Sequence, residues 1–161
     1  CAQPGSLAEQ AVTGCATYRL LRPIHFLAHH SERMTMAQLL HTRVRVGDLD
    51  KSIEWYTQHL GFELLSRTDK SPAGNHVAHL ALPGNEHTIE FTWSADYKLT
   101  VPEDLMHFAI GVDDLISFCD TLEKDGLEIW PADWRESFPA GRKMAFIDDP
   151  DGYEIELLER S

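Results

Sequence analysis

The chain has 161 residues, enough for one domain with a real core or for two small packed modules. Its 43% apolar and 25% charged residues are ordinary for a soluble globular protein, while a formal charge of −12 argues against nucleic acid or an anionic membrane as partner. Cys1, Cys15 and Cys119 form no regular spacing, which fits a reducing, cytoplasmic setting better than a disulfide framework, and no run of 18 apolar residues exists to span a membrane.

Residues 1–35 differ in character from the rest of the chain. They carry little periodicity and end at Met34-Thr-Met36, directly upstream of the first strong pattern. The favoured reading is an N-terminal extension, disordered or not native, that is set aside in reasoning about the fold. Two others stay open: a targeting remnant, for which Arg19, Arg22 and Arg33 speak, and a lipoprotein start at an acylated Cys1.

The domain expected at 38–160 opens with Thr42, Val44 and Val46 alternating with Arg43 and Arg45, the period of a strand. Asp48 is placed to cap a helix in which Ile53, Tyr56, Thr57 and Leu60 fall at helical spacing, with Gly61 as its C-cap. Strands are then predicted over 62–66, 76–82 and 88–93, separated by Pro72-Ala73-Gly74 and Pro83-Gly84-Asn85. A second series comes after them: strand 108–112, helix 114–124, Gly126, and strands near 127–130, 143–147 and 153–158. The tight turn Asp149-Pro150-Asp151-Gly152 precedes the last of these. The fold class is therefore α+β, built from two tandem βαβββ modules at 38–100 and 104–160.

The two modules are related by one offset. Leu39-Leu40-His41 recurs 66 residues later as Leu105-Met106-His107, and the same step carries Val46, Asp48 and Leu49 to Val112, Asp114 and Leu115. It also carries Ile89-Glu90-Phe91 onto Ile155-Glu156-Leu157. Each module thus holds one His and one Glu at equal separation. Strand alternation puts His41 on the face of Arg43 and Arg45, and sets Glu90 and Glu156 opposite their apolar neighbours.

A carboxylate out of water needs a partner, and a metal would serve. Singly, such a His or Glu is more often a hydrogen-bonding or solvated residue; two pairs at one offset favour ligands. Glu154 shares a face with Glu156 and is its rival, but the offset selects Glu156. His25, His29, His30, His59, His76, His79 and His87 have no repeat partner and are read as surface or loop residues. Two imidazoles and two carboxylates with open positions suit an octahedral divalent ion such as Ni, Co, Mn or Zn, and a catalytic role.

The segment from His41 through Gly47-Asp48-Leu49 to Glu54-Trp55-Tyr56, with Leu60-Gly61-Phe62, resembles the opening of the glyoxalase I (lactoylglutathione lyase) family. Ile89-Glu90-Phe91-Thr92, Met106-His107-Phe108-Ala109 and the stretch from Asp149 to Leu157 are similar to its other signatures. The family lies in the vicinal oxygen chelate superfamily of paired βαβββ modules. The resemblance implies isomerisation of the methylglyoxal–glutathione hemithioacetal to S-lactoylglutathione through an enediolate. One divalent metal would sit on His41, Glu90, His107 and Glu156, with Glu156 as the main base and Glu90 able to act on the opposite face. It implies a homodimer with sites at the interface, glutathione as cosubstrate, and Ni or Co ahead of Zn or Mn, since the domain lacks long insertions.

Arg45 resembles the arginine that holds a glutathione carboxylate, a group its guanidinium can grip bidentately. Ser94 stands where the family often has Asn, and Arg142 and Lys143 replace a lysine–glycine stretch as a basic substrate contact. The alternatives are another metalloenzyme of the fold, such as a methylmalonyl-CoA epimerase, which commonly has Gln in place of Glu90, and a metal-free drug-binding module. Extradiol dioxygenases and fosfomycin-resistance transferases leave Glu90 unexplained.

Overall fold

The computed structural model describes residues 37–136 and 143–160, so the expected extension over 1–35 lies outside the described residues. Strand β1 (His41–Arg45) leads into helix α1 (Leu49–Leu60), followed by β2 (Glu63–Thr68), β3 (His76–Ala81) and β4 (Thr88–Trp93). The second module runs β5 (His107–Val112), α2 (Leu115–Lys124), β6 (Met144–Asp148) and β7 (Glu154–Glu159). Among the described residues, no helix is long and apolar enough to cross a membrane.

Both helices start where the sequence places them. The carboxylates of Asp48 and Asp114 accept from the backbone N–H of Lys51 and Ser117, each satisfying one orphan donor of the first turn. Gly61 ends α1 in the left-handed conformation at φ 73°, and its N–H reaches the Tyr56 carbonyl. The stripe Leu49, Ser52, Tyr56 and Leu60 is buried, as are Leu115, Cys119 and Leu122 on α2.

The sheets have orders β1-β4-β3-β2 and β5-β7-β6. In each, the module's first strand pairs in parallel with its last: Arg43 lies opposite Glu90, and Ala109 opposite Glu156. The offset seen in the sequence is therefore a register in space. The strand expected near 127–130 is reduced to a single bridge between Trp130 and Phe146, at the sheet position that β2 occupies in the first module. Pro131 supplies no N–H and cannot extend that ladder.

Residues of alternate parity on the strands, among them Val44, Leu80, Ile89, Phe91, Ile110, Ile147, Ile155 and Leu157, join the helix stripes in one core. Tyr56 is central to it, with its ring edge-on to Phe91 at 4.7 Å and near-parallel to Phe108 of the second module at 6.2 Å.

The Asp149–Gly152 turn ties the modules together. The buried Tyr56 hydroxyl donates to Asp149 Oδ2 at 3.0 Å, and the Gly47 N–H lies 3.1 Å from both oxygens of Asp151. A Cβ on residue 47 would fall 2.7 Å from Asp151 Oδ1, so a side chain there would displace the carboxylate from this contact. Burial pushes the Tyr56 hydroxyl well above its ordinary range, helped by the charge of Asp149 and by the bond to it.

Tyr56→Phe should therefore cost about 1–3 kcal/mol, because Asp149 stays buried with one partner fewer. Since the folded Tyr56 keeps its proton when an unfolded tyrosine loses it near pH 10, its contribution is whole below that pH and is lost as pH rises through the higher folded value. Urea unfolding across pH 8–11 should show a steeper alkaline loss in the native chain than in Tyr56→Phe.

Candidate metal-binding site

On β4, the central strand of its pairings, Glu90 stands between Arg43 on β1 and His79 on β3, both its cross-strand partners. Alternation along β1 brings His41 to the same face. The His41 and His79 Nε2 atoms lie 3.7 and 3.4 Å from Glu90 Oε2, and the three ligand atoms all fall within 4.8 Å of one another. Arg43 Nε donates to the other oxygen, Oε1, which also accepts from the buried Thr92 hydroxyl at 3.3 Å.

Glu90 is 7% exposed. Burial works to raise its pKa, but the hydrogen bond and charge of Arg43, with His41 and His79 adding to them, hold it below the usual carboxylate value. The carboxylate thus has a protein cation beside it, a partner the sequence reading assigned to metal alone.

The second module repeats half of this pattern. His107 Nε2 lies 3.6 Å from Glu156 Oε2. Glu156 stands between Ala109 and Phe146, where the first module has Arg43 and His79. The rival Glu154 instead accepts the backbone N–H of Asp104 at 3.1 Å.

Within one chain, then, the four expected ligands form two separate pairs. Among the described residues, His41, His79 and Glu90 are the one group of metal-ligand type that comes together. Imidazole and carboxylate donors at this spacing fit a divalent ion of the first transition row. The apolar cleft of about 170 Å³ lined by Val44, Phe62, Ile89, Phe108 and Ile110 includes none of these imidazoles or carboxylates.

The substrate-binding expectations divide. Arg45 Nη1 donates to Ser94 Oγ at 3.0 Å, and its guanidinium lies 4.5 Å from the centre of the Tyr97 ring, so Arg45 and Ser94 form one polar group. Lys143 belongs to the second module, with its Nζ 3.4 Å from the Glu159 carboxylate. Arg142 lies outside the described residues.

The reading of the unpaired histidines needs correction. His79 lies within β3 and belongs to the Glu90 cluster, and His76 opens the same strand. His59 is in α1 with an 11% exposed side chain beside Asp125. His25, His29 and His30 lie outside the described residues. The single offset matches His79 to Ala145, whereas the residue facing Glu156 is Phe146, one position further on. Setting 76–82 and 88–93 against each other as a hairpin was the signal that could have found His79.

Residues 38–157 match the model of the Glyoxalase/Bleomycin resistance protein/Dioxygenase superfamily. A probable lactoylglutathione lyase of Vibrio cholerae is 40% identical over 135 residues, covering 78% of this chain and 93% of its own. The lactoylglutathione lyase of Haemophilus influenzae is 38% identical over 130 residues, 76% of this chain and 92% of its own. Among solved structures, the trypanothione-dependent glyoxalase I of Leishmania major matches with a TM-score of 0.62 at 33% identity, covering 76% of this chain and 86% of that one. Within the superfamily, the chain belongs to the glyoxalase I, or lactoylglutathione lyase, family of enzymes.

Because Glu90 is held ionised, its pairing with Arg43 stabilises the fold above the unfolded glutamate pKa of about 4.3 and is lost as pH falls through the lower folded value. Carboxyl NMR titration of the metal-free protein should find the Glu90 midpoint below that of an ordinary glutamate. Arg43→Ala should move that midpoint upward, since burial then acts with less opposition. An unmoved midpoint would mean that Arg43 does not govern this carboxylate.

Proposed function

We propose that the protein isomerises the hemithioacetal of methylglyoxal and glutathione to S-lactoylglutathione, with one divalent metal held by His41, Glu90, His107 and Glu156. The observation that carries this reading is the pair of His–Glu clusters at equivalent places in two like modules. A divalent ion held there would stabilise the negative charge that develops on substrate oxygen. Nickel or cobalt is favoured, with zinc or manganese as substitutes. The functional domain is proposed as residues 38–160.

The chain's own groups divide the remaining work. Proton transfer between the two adjacent substrate carbons falls to Glu156. Among the described residues, its one ion-pair neighbour is His107, while Glu90 is engaged by Arg43. A carboxylate committed to an arginine is a weaker base, so Glu90 is the lesser proton carrier. Arg45 with Ser94 offers a site for a carboxylate of the thiol cosubstrate, and Lys143 and Arg142 a second basic contact.

Each site draws its two pairs from different chains of a homodimer. The separation of the pairs supports this, as do the exposed apolar side chains of Leu39, Leu40, Leu64, Leu65 and Leu105, which a second copy would cover.

Reconstitution with nickel or cobalt should yield thioester absorbance from methylglyoxal and glutathione; metal-loaded protein that stays inactive defeats the proposal. In saturating metal, Glu156→Gln should lower kcat by roughly 10²–10⁴ with metal still bound, and Glu154→Gln should change little. An active Glu156→Gln would shift proton transfer to another group.

Mixing inactive His41→Ala and His107→Ala chains should restore activity, because one of the two sites in the mixed dimer regains all four ligands. Proven chain exchange without recovery would place each site within one chain.

A further inference from the structure

We propose that His79 is an additional metal donor, so that the first module contributes three protein ligands, His41, His79 and Glu90, and the second contributes two. The inference rests on the metal-dependent function proposed for the site and extends it to a residue with no counterpart in the other module.

The geometry is that of a donor set. An ion bound at about 2.1 Å holds adjacent donors about 3 Å apart and opposite donors about 4.2 Å apart. Separations of 3.4 and 3.7 Å from Glu90 Oε2, with all three ligand atoms inside 4.8 Å, need only small adjustments to meet one ion. At 3.4 Å the His79–Glu90 contact is longer than an ordinary N–H···O bond. Arg43 occupies Oε1 and leaves Oε2 facing both imidazoles.

The other nitrogen of His79 fixes the ring. Its Nδ1 lies 3.3 Å from the Thr88 hydroxyl, and that hydroxyl donates to the Leu40 carbonyl at 3.5 Å. An Nδ1–H donated to that hydroxyl would leave the lone pair of a neutral His79 on Nε2, the nitrogen that faces Glu90 Oε2. Orientation of a ligating imidazole through its remote N–H is the usual second layer of a metal site.

Comparison of the modules shows that the fold does not demand histidine here. His79 meets His41 edge-on at 5.5 Å and 80°, and Phe146 meets His107 in the same way at 6.0 Å and 90°. Packing asks for an aromatic edge at this position; the imidazole adds a donor that phenyl lacks. His79→Phe is accordingly the substitution that the second module already accommodates.

The test is X-ray absorption of the Co(II)-loaded native protein, with Co(II) affinity measured by chelator competition for native, His79→Phe and His79→Asn chains checked for fold by circular dichroism. The inference expects three imidazoles per cobalt in the native protein and two in folded variants. It also expects an affinity loss of about tenfold or more, since even outer-layer partners of metal ligands are worth 10–100-fold. Two imidazoles in the native protein, or a folded variant with unchanged count and affinity, overturns the role of His79 and leaves the four-ligand reading standing. A native protein that binds no cobalt overturns both. The native count decides the matter even where a variant fails to fold.

Discussion

The parallel pairing of the first and last strands of each module is the constraint on which the candidate site depends. His41 and Glu90 are 49 residues apart in the chain, and neither could find the other without β1 lying against β4 in the observed register. A slip of one residue would turn Glu90 into the core and bring Ile89 or Phe91 to the polar face. Register is protected by the same apolar residues that a slip would expose, because Ile89 and Phe91 are held on the buried side. Core packing and placement of the carboxylate are two consequences of one alignment.

The modules share this alignment but differ electrostatically. Beside Glu90 the neighbouring strand carries Arg43, and beside Glu156 it carries Ala109. The first module therefore holds its carboxylate in an ion pair even without metal, and the second leaves its carboxylate to a histidine. In the proposed two-chain site this asymmetry would assign different duties to like residues, Glu90 as an anchor and Glu156 as the proton carrier.

Much of this was legible in the sequence for local reasons. Asp48 and Asp114 cap helices because a short carboxylate reaches the N–H three residues on, and Gly61 ends α1 because it accepts a positive φ. Strand β4 is bounded as alternation predicts. The His–Glu pairs emerge from a single offset, which holds only while both modules keep equal loop lengths. That condition fails at β3 and β6, where the register differs by one, and His79 was missed there. The Arg43–Glu90 pair was missed for another reason: alternation tells which residues share a face within a strand, not which strands are neighbours. The segment expected near 127–130 keeps only the Trp130–Phe146 bridge, and Pro131 stops the ladder from continuing past it.

Gly47 leaves a final mark on the molecule's symmetry. Its N–H receives the Asp151 carboxylate from the second module's last turn. The corresponding place in the second module is Asp113, which pairs with Arg160, and the corresponding turn residue in the first is Asn85, bonded to Leu82. The latch runs in one direction only. Two copies of the first module would lack its carboxylate, and two copies of the second would lack its glycine. The halves have ceased to be interchangeable parts, and a recombinant that shuffles or duplicates them would break the joint between them while preserving every strand.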